Sequence, residues 1–133
     1  MRISYLIDTD WIIDHFNKVD RVTQKLRELR SEGAGVSVIS LAELYEGIYY
    51  SRDPAKSQNI LDTFLEEFPV LGIDEEVCKI FGRERGRLRQ QRKLISDFDL
   101  LIASTCLYYD VTILTNNKRH YEMVEGLKII SLS

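Results

Sequence analysis

Apolar and polar positions follow two rhythms along this chain. Short runs rich in β-branched and aliphatic residues recur at Ile3–Ile7 (ISYLI), Gly35–Ile39 (GVSVI), Val70–Ile73, Val111–Leu114 and Lys128–Ile130. Their near-continuous apolar character predicts strands buried on both faces. Between them lie helix-length stretches at 18–32, 40–50, 55–68, 75–92 and 98–109, and a shorter helix beginning near Trp11. In 55–68, Ile60, Leu61, Phe64, Leu65 and Phe68 share one helical face. The segment FDLLIASTCLYY (98–109) is apolar nearly all round and predicts a central, buried helix. Pro54 reads as a first-turn residue and Gly33 as the stop after a charged helix end. Strands separated by helices predict an α/β fold, a mostly parallel sheet of four to five strands with right-handed crossovers. With no repeat and no composition break, residues 1–133 read as one domain.

Composition narrows the class. Hydrophobic residues make up 44% of 133, enough for a real core without staples. No apolar run approaches the length of a membrane span. The opening MRISYLIDTDWII carries acids within its apolar stretch and has no small-residue cleavage site, unlike an export signal. Cys78 and Cys106 are far apart and fit no C-x-x-C pattern, so reduced thiols and a cytoplasmic location are expected. A net charge of −3 says little about partners; where the charges fall says more.

Ligands of open parallel sheets bind beyond the carboxyl ends of the strands. Polar residues recur there: Asp8-Thr9-Asp10 after the first strand, and Ser40 with Glu43 one turn on after the second. Asp97-Phe98-Asp99 opens the buried helix, and Thr115-Asn116-Asn117 follows the fourth strand. Each has an ordinary structural explanation. Ser40-Leu41-Ala42-Glu43 matches a capping box; Asp97 makes a good N-cap, with Asp99 complementing the helix dipole; Asp8 or Asp10, and Asn117, could cap short helices. Their coincidence on one rim argues for more. Asp8 closes an apolar strand and Asp99 shares a helical face with Ala103 and Cys106, so both carboxylates point inward, where they repel unless a proton or a cation intervenes. An oxygen-only set without His or Cys suits Mg²⁺ or Mn²⁺, ions that hold phosphate oxygens and activate water for in-line attack. P-loop, H-E-x-x-H and G-x-S-x-G patterns are absent. His15 is expected on a helix surface, and His120 to pack or hydrogen-bond near the rim.

Two further surfaces stand out. Arg83, Arg85, Arg87, Arg89, Arg92 and Lys93 fall in one predicted helix just upstream of Asp97 and Asp99. A solvated face is the ordinary reading of such a run, but a polyanion steered toward an acidic site needs positive charge beside it. Arg83, Arg87, Arg89, Arg92 and Lys93 are therefore candidate nucleic-acid contacts. Trp11, Tyr45, Ile48, Tyr49 and Tyr50 form an aromatic cluster that is mostly core but could serve a partner.

Taken in order, YLIDTDWII, VISLAELYEG, ISDFDLLIAS and ILTNNKRHY followed by VEGLKII resemble the PIN-domain ribonucleases, in particular the VapC toxins of toxin–antitoxin pairs. The resemblance runs nearly end to end. It implies a three-layer α/β/α sandwich, Mg²⁺- or Mn²⁺-dependent endoribonuclease activity, inhibition by a VapB-like antitoxin and, commonly, a homodimer. By position it makes Asp8, Glu43 and Asp99 the metal-binding acids. Asn117 stands where many relatives have a fourth acid, which weakens the case for a second ion. Thr9, Ser40, Thr115 and Asn116 become supporting residues, and Asp97 a cap or an outer acid. Arg92 stands where relatives often carry a helix-ending Gly.

Other classes fit parts of the same pattern. Asp8-Thr9-Asp10 also fits the start of a haloacid-dehalogenase-like phosphatase with Asp8 as nucleophile, but Thr115 then follows the Asp97–Asp99 pair instead of preceding it. A receiver-like module could use Asp74, yet no Lys follows a fifth strand. A PIN fold kept only for binding has no reason to retain mutually repelling acids.

Overall fold

The computed structural model describes residues 2–132. In chain order the elements are β1 (Tyr5–Ile7), α1 (Thr9–Phe16), α2 (Asp20–Leu29), a 3-10 turn (Arg30–Glu32), β2 (Ala34–Ser37), α3 (Val38–Tyr49), α4 (Pro54–Glu67), β3 (Val70–Leu71), α5 (Glu75–Gln90), α6 (Asp97–Tyr109), β4 (Thr112–Leu114), α7 (Lys118–Tyr121) and β5 (Ile129–Ile130). The five strands form one sheet in the order β3-β2-β1-β4-β5. All neighbours are parallel, and β1 is the centre: Tyr5, Leu6 and Ile7 pair with Ala34, Gly35 and Val36 on one side and with Thr112, Ile113 and Leu114 on the other.

Alternation along the strands divides the core in two. Ile7, Val36 and Leu114 pack beneath α1 to α4 with Trp11, Leu61 and Phe64. Leu6 and Ile113 face the opposite way, against α5, α6 and α7, with Leu88, Leu100 and Tyr121. This is the expected three-layer α/β/α arrangement. Helix α6 buries Leu100, Ile102, Ala103, Ser104, Thr105 and Cys106, which explains its lack of a polar stripe. Among the described residues, no helix is long and apolar enough to cross a membrane, and both cysteines are free thiols.

Several boundaries differ from the sequence expectation. Strand β2 stops at Ser37, whose hydroxyl accepts from Ile39 N and caps α3. Ser40 therefore lies inside the first turn and the expected capping box does not form. Likewise Ser96, not Asp97, caps α6 by accepting from Asp99 N; Asp97 is instead ion-paired with Arg85 at 2.6 Å. Helix α5 ends at Gln90, before Arg92 and Lys93. Arg92 takes the left-handed conformation itself (φ +56°), and the amides of Arg92 and Lys93 close on Arg89 O and Leu88 O, the helix stop for which glycine is preferred. His15 is half-buried, bonded to Thr23 at 2.8 Å and packed near Phe16 and Phe64. Of the aromatic cluster, Trp11 and Ile48 are core, whereas Tyr49 and Tyr50 are exposed.

Gly33 fits its assigned role. It has φ +88°, and its carbonyl accepts from Ser4 N and Tyr5 N at the start of β1. A Cβ there would run into the Arg2 carbonyl oxygen. Combining that collision with left-handed strain, Gly33→Ala is expected to cost about 2 to 4 kcal/mol in urea unfolding. A loss below 0.5 kcal/mol, roughly what a surface change produces, would show that the turn can rearrange.

Candidate active site

All strands point their carboxyl ends to one rim, and the end of the central strand holds Asp8. It is only 4% exposed. The residue is also the N-cap of α1, so the structural and functional readings of this acid hold together: Oδ1 accepts from Thr9 N at 2.9 Å. Oδ2 accepts from Thr115 Oγ1 at 2.8 Å, across from the end of β4. Burial, with Asp10 close by, pushes the Asp8 carboxyl up to about 7.

Asp99, in the first turn of α6, faces the same space from the other side. Between the two acids stands Tyr121, fully buried, its phenol oxygen 3.2 Å from Asp8 Oδ1 and 3.3 Å from Asp99 Oδ1. One phenol proton cannot satisfy two carboxylates. When Asp8 is protonated it can donate to the phenol oxygen, while the phenol O–H donates its hydrogen bond to Asp99. Burial and both acids hold the phenol itself protonated, far above the usual range.

Glu43 joins less directly. Thr9 Oγ1 lies 2.8 Å from Glu43 Oε1 and 2.8 Å from Ser40 Oγ. Its single proton serves the carboxylate, so Ser40 donates to Thr9. Thr9 thus ties the Glu43 side chain of α3 to the residue that follows Asp8. Asp8 and Asp99 meet across the phenol, and Glu43 stands behind Thr9. Among the described residues, no three carboxylate, thiol or imidazole groups are already set to hold a metal ion.

The remaining rim residues divide in two. Asn117 begins α7 without a side-chain cap; its amide lies 3.5 Å from Asp99 Oδ2 and 2.9 Å from His120 Nδ1, whose ring is 3.6 Å from Asp99. Asn117 and His120 therefore belong with the acids. Asn116 does not: its side-chain oxygen accepts from Trp11 Nε1 at 3.0 Å and Leu132 N at 2.8 Å, fastening the end of the chain to α1. Asp10 accepts from Asn116 N at 2.9 Å and fixes the turn after β4. Asp97 points away, exposed, toward Arg85. Arg87 is likewise engaged, with Glu84 at 2.9 Å and Met123 O at 2.9 Å, while Arg83, Arg89, Arg92 and Lys93 are exposed.

Tyr121 is the site residue that the sequence reading misses. It sits at the end of the four-residue helix KRHY, too short for a periodic pattern. The available signal is its spacing from Asn117, four residues and hence one helical turn.

A PIN-domain family model matches residues 5–126. Ribonuclease VapC1 of Methanocaldococcus jannaschii is 35% identical over 126 residues, covering 93% of this chain and 85% of the relative. Ribonuclease VapC2 of Rickettsia felis is 30% identical over 92% of this chain and 93% of its own. The crystal structure of VapBC2 from Rickettsia felis, bound to a promoter DNA fragment, superposes with a TM-score of 0.92 at 27% identity, covering 98% of this chain and 100% of that one. A five-stranded parallel sheet with its acids gathered at the end of β1, matched over nearly the whole length by these proteins, makes this chain a member of the PIN-domain family and of its VapC ribonucleases.

Proposed function

We propose that this protein is a metal-dependent endoribonuclease, the toxin of a toxin–antitoxin pair acting in the cytoplasm, and that Asp8, Asp99 and Glu43 hold its ion. The observation that carries this reading is the buried Asp8 carboxylate, faced by Asp99 across a shared phenol. Keeping such a pair ionised with one member buried costs several kcal/mol unless positive charge is supplied. The donors fit Mg²⁺ or Mn²⁺: all are oxygens, and Mg²⁺ takes one or two carboxylates and retains its waters. An incomplete cage therefore suits it. Asn117 contributes no charge, which favours a single ion.

When bound, the ion supplies positive charge to the scissile phosphate and an acidified water for in-line attack. The protein's own groups do the rest. Thr115 and Thr9 N hold the Asp8 carboxylate in position, and Tyr121 fixes Asp99 relative to it. Thr9 and Ser40 orient Glu43 at the edge of the site. The Asn117 amide and the exposed His120 ring offer donors to phosphate oxygens beside Asp99. Cleavage leaves 5′-phosphate and 3′-hydroxyl ends. A VapB-like antitoxin is the expected partner in a heteromeric assembly, since the solved VapBC complexes contain this fold.

The test is incubation of the purified protein with mixed cellular RNA in EDTA, then with Mg²⁺ or Mn²⁺ in excess. Fragments with 5′-phosphate ends are expected only with the ion. Undiminished cutting in EDTA would remove the metal from the mechanism, and intact RNA under both conditions would remove the nuclease.

A further inference from the structure

Five cations crowd the end of α5 and the turn beyond it, and they are of two kinds. Arg85 is spent on Asp97 and Ile95 O, and Arg87 on Glu84 and Met123 O. These pairs brace α5 against its neighbours. Arg89, Arg92 and Lys93 are exposed, with no ion-pair or side-chain hydrogen-bond partner among the described residues. All three line a hollow of about 640 Å³, together with Leu94 and Ser96. Asp97 also borders it, but its charge is answered by Arg85.

Two features tie this hollow to the acids. Its far wall is the first turn of α6, the turn whose other side presents Asp99 to Tyr121 and Asp8; Ser96 in the hollow caps the Asp99 amide. The girth of one helix, about 10 to 12 Å, separates them. A single strand, whose phosphates are spaced more widely than the ~3.4 Å rise of a stacked duplex, crosses that distance within a few nucleotides. Phe98, half-exposed on the intervening turn, offers an apolar face of the kind bases stack on. The second feature is Arg92 itself. Its left-handed backbone closes α5 and sets the turn on which Lys93 and Leu94 follow it along the hollow.

We infer that Arg89, Arg92 and Lys93 form a phosphate-holding subsite that grips a single-stranded RNA a few nucleotides from the bond being cut. The subsite rests on the nuclease reading above and deepens it: the acids repel the polyanion, and this turn supplies the opposing attraction beside them.

The experiment compares binding of a fluorescent single-stranded oligoribonucleotide to D99N, D99N with R89Q/R92Q/K93Q, and D99N with R21Q/R52Q/K56Q, which removes the same charge elsewhere. Anisotropy is read across a salt series. The hollow triple variant is expected to weaken binding about tenfold or more and to lower the salt slope by about 2, close to 0.7 per lost phosphate contact on a single strand. An unchanged affinity and slope, or an equal loss in the control triple, would overturn the subsite. Cleavage of the same RNA by wild type with Mg²⁺ is scored separately: its absence counts against the nuclease reading, while the binding series still decides the subsite. Melting temperatures of both triples identify any variant that fails to fold.

Discussion

Asp8→Asn is expected to abolish metal-dependent RNA cleavage while making the metal-free protein more stable. The loss follows from removing the most buried of the proposed ligands. If the ion contributes several kcal/mol of charge stabilisation, a fall on the order of 10³-fold is expected. The gain follows from linkage. The Asp8 carboxyl is pushed from 3.8 up to about 7 in the folded chain, so the native state binds its proton more tightly than the unfolded state does. Stability without divalent ions must then fall as pH rises from about 4 to about 7 and stay low above it, by at most about 4 kcal/mol. Asparagine carries no proton to lose and keeps an oxygen for Thr9 N, while Thr115 can turn its hydroxyl to accept from the new amide. Urea melts in EDTA at pH 5 and pH 8 would read this directly. Wild type should weaken between them much more than D8N, and D8N should be the more stable at pH 8. Equal pH dependence in the two proteins would mean that Asp8 is less desolvated than its burial implies.

Tyr121→Phe is expected to have the second-largest effect, and in the opposite sense for stability. Among the described residues, the phenol alone hydrogen-bonds both acids. Without it, two carboxylates face each other over an apolar ring edge, and at least one loses a charge-assisted bond, worth about 1.5 to 3 kcal/mol. The variant should therefore melt lower at pH 8 in EDTA. Mg²⁺ should restore more stability to it than to wild type, because the ion then relieves a larger repulsion. Activity should fall less than in D8N, since both carboxylates remain. A Tyr121→Phe protein with unchanged melting and an unchanged response to Mg²⁺ would reduce the phenol to packing.

The layers of the fold were legible from period alone. Leu6 and Ile7 point to opposite faces, α6 is apolar all round because it is enclosed, and Pro54 does open α4. The boundaries were less legible where a polar residue could serve two purposes. Ser37 and Ser96, not Ser40 and Asp97, are the caps, and no local pattern distinguishes one serine from another three residues away. The rim of the site could be placed because strand ends in a parallel sheet converge. What the sequence could not convey was hierarchy: Asp8 and Asp99 share one phenol, Glu43 is reached through Thr9, and Asn116 turns its side chain from the acids to Trp11. Those distinctions depend on χ angles at the ends of short elements, where spacing carries almost no information.

The central position of β1 has a consequence for the order in which the candidate site is assembled. Asp8 leaves the ribosome before its neighbours: β1 gains its second neighbour only after β4 has been made, and Tyr121 follows Asp8 by 113 residues. A growing chain thus has half a sheet, no phenol between its acids and no assembled centre. Gathering the acids of the candidate site therefore waits until the chain has been made through Tyr121.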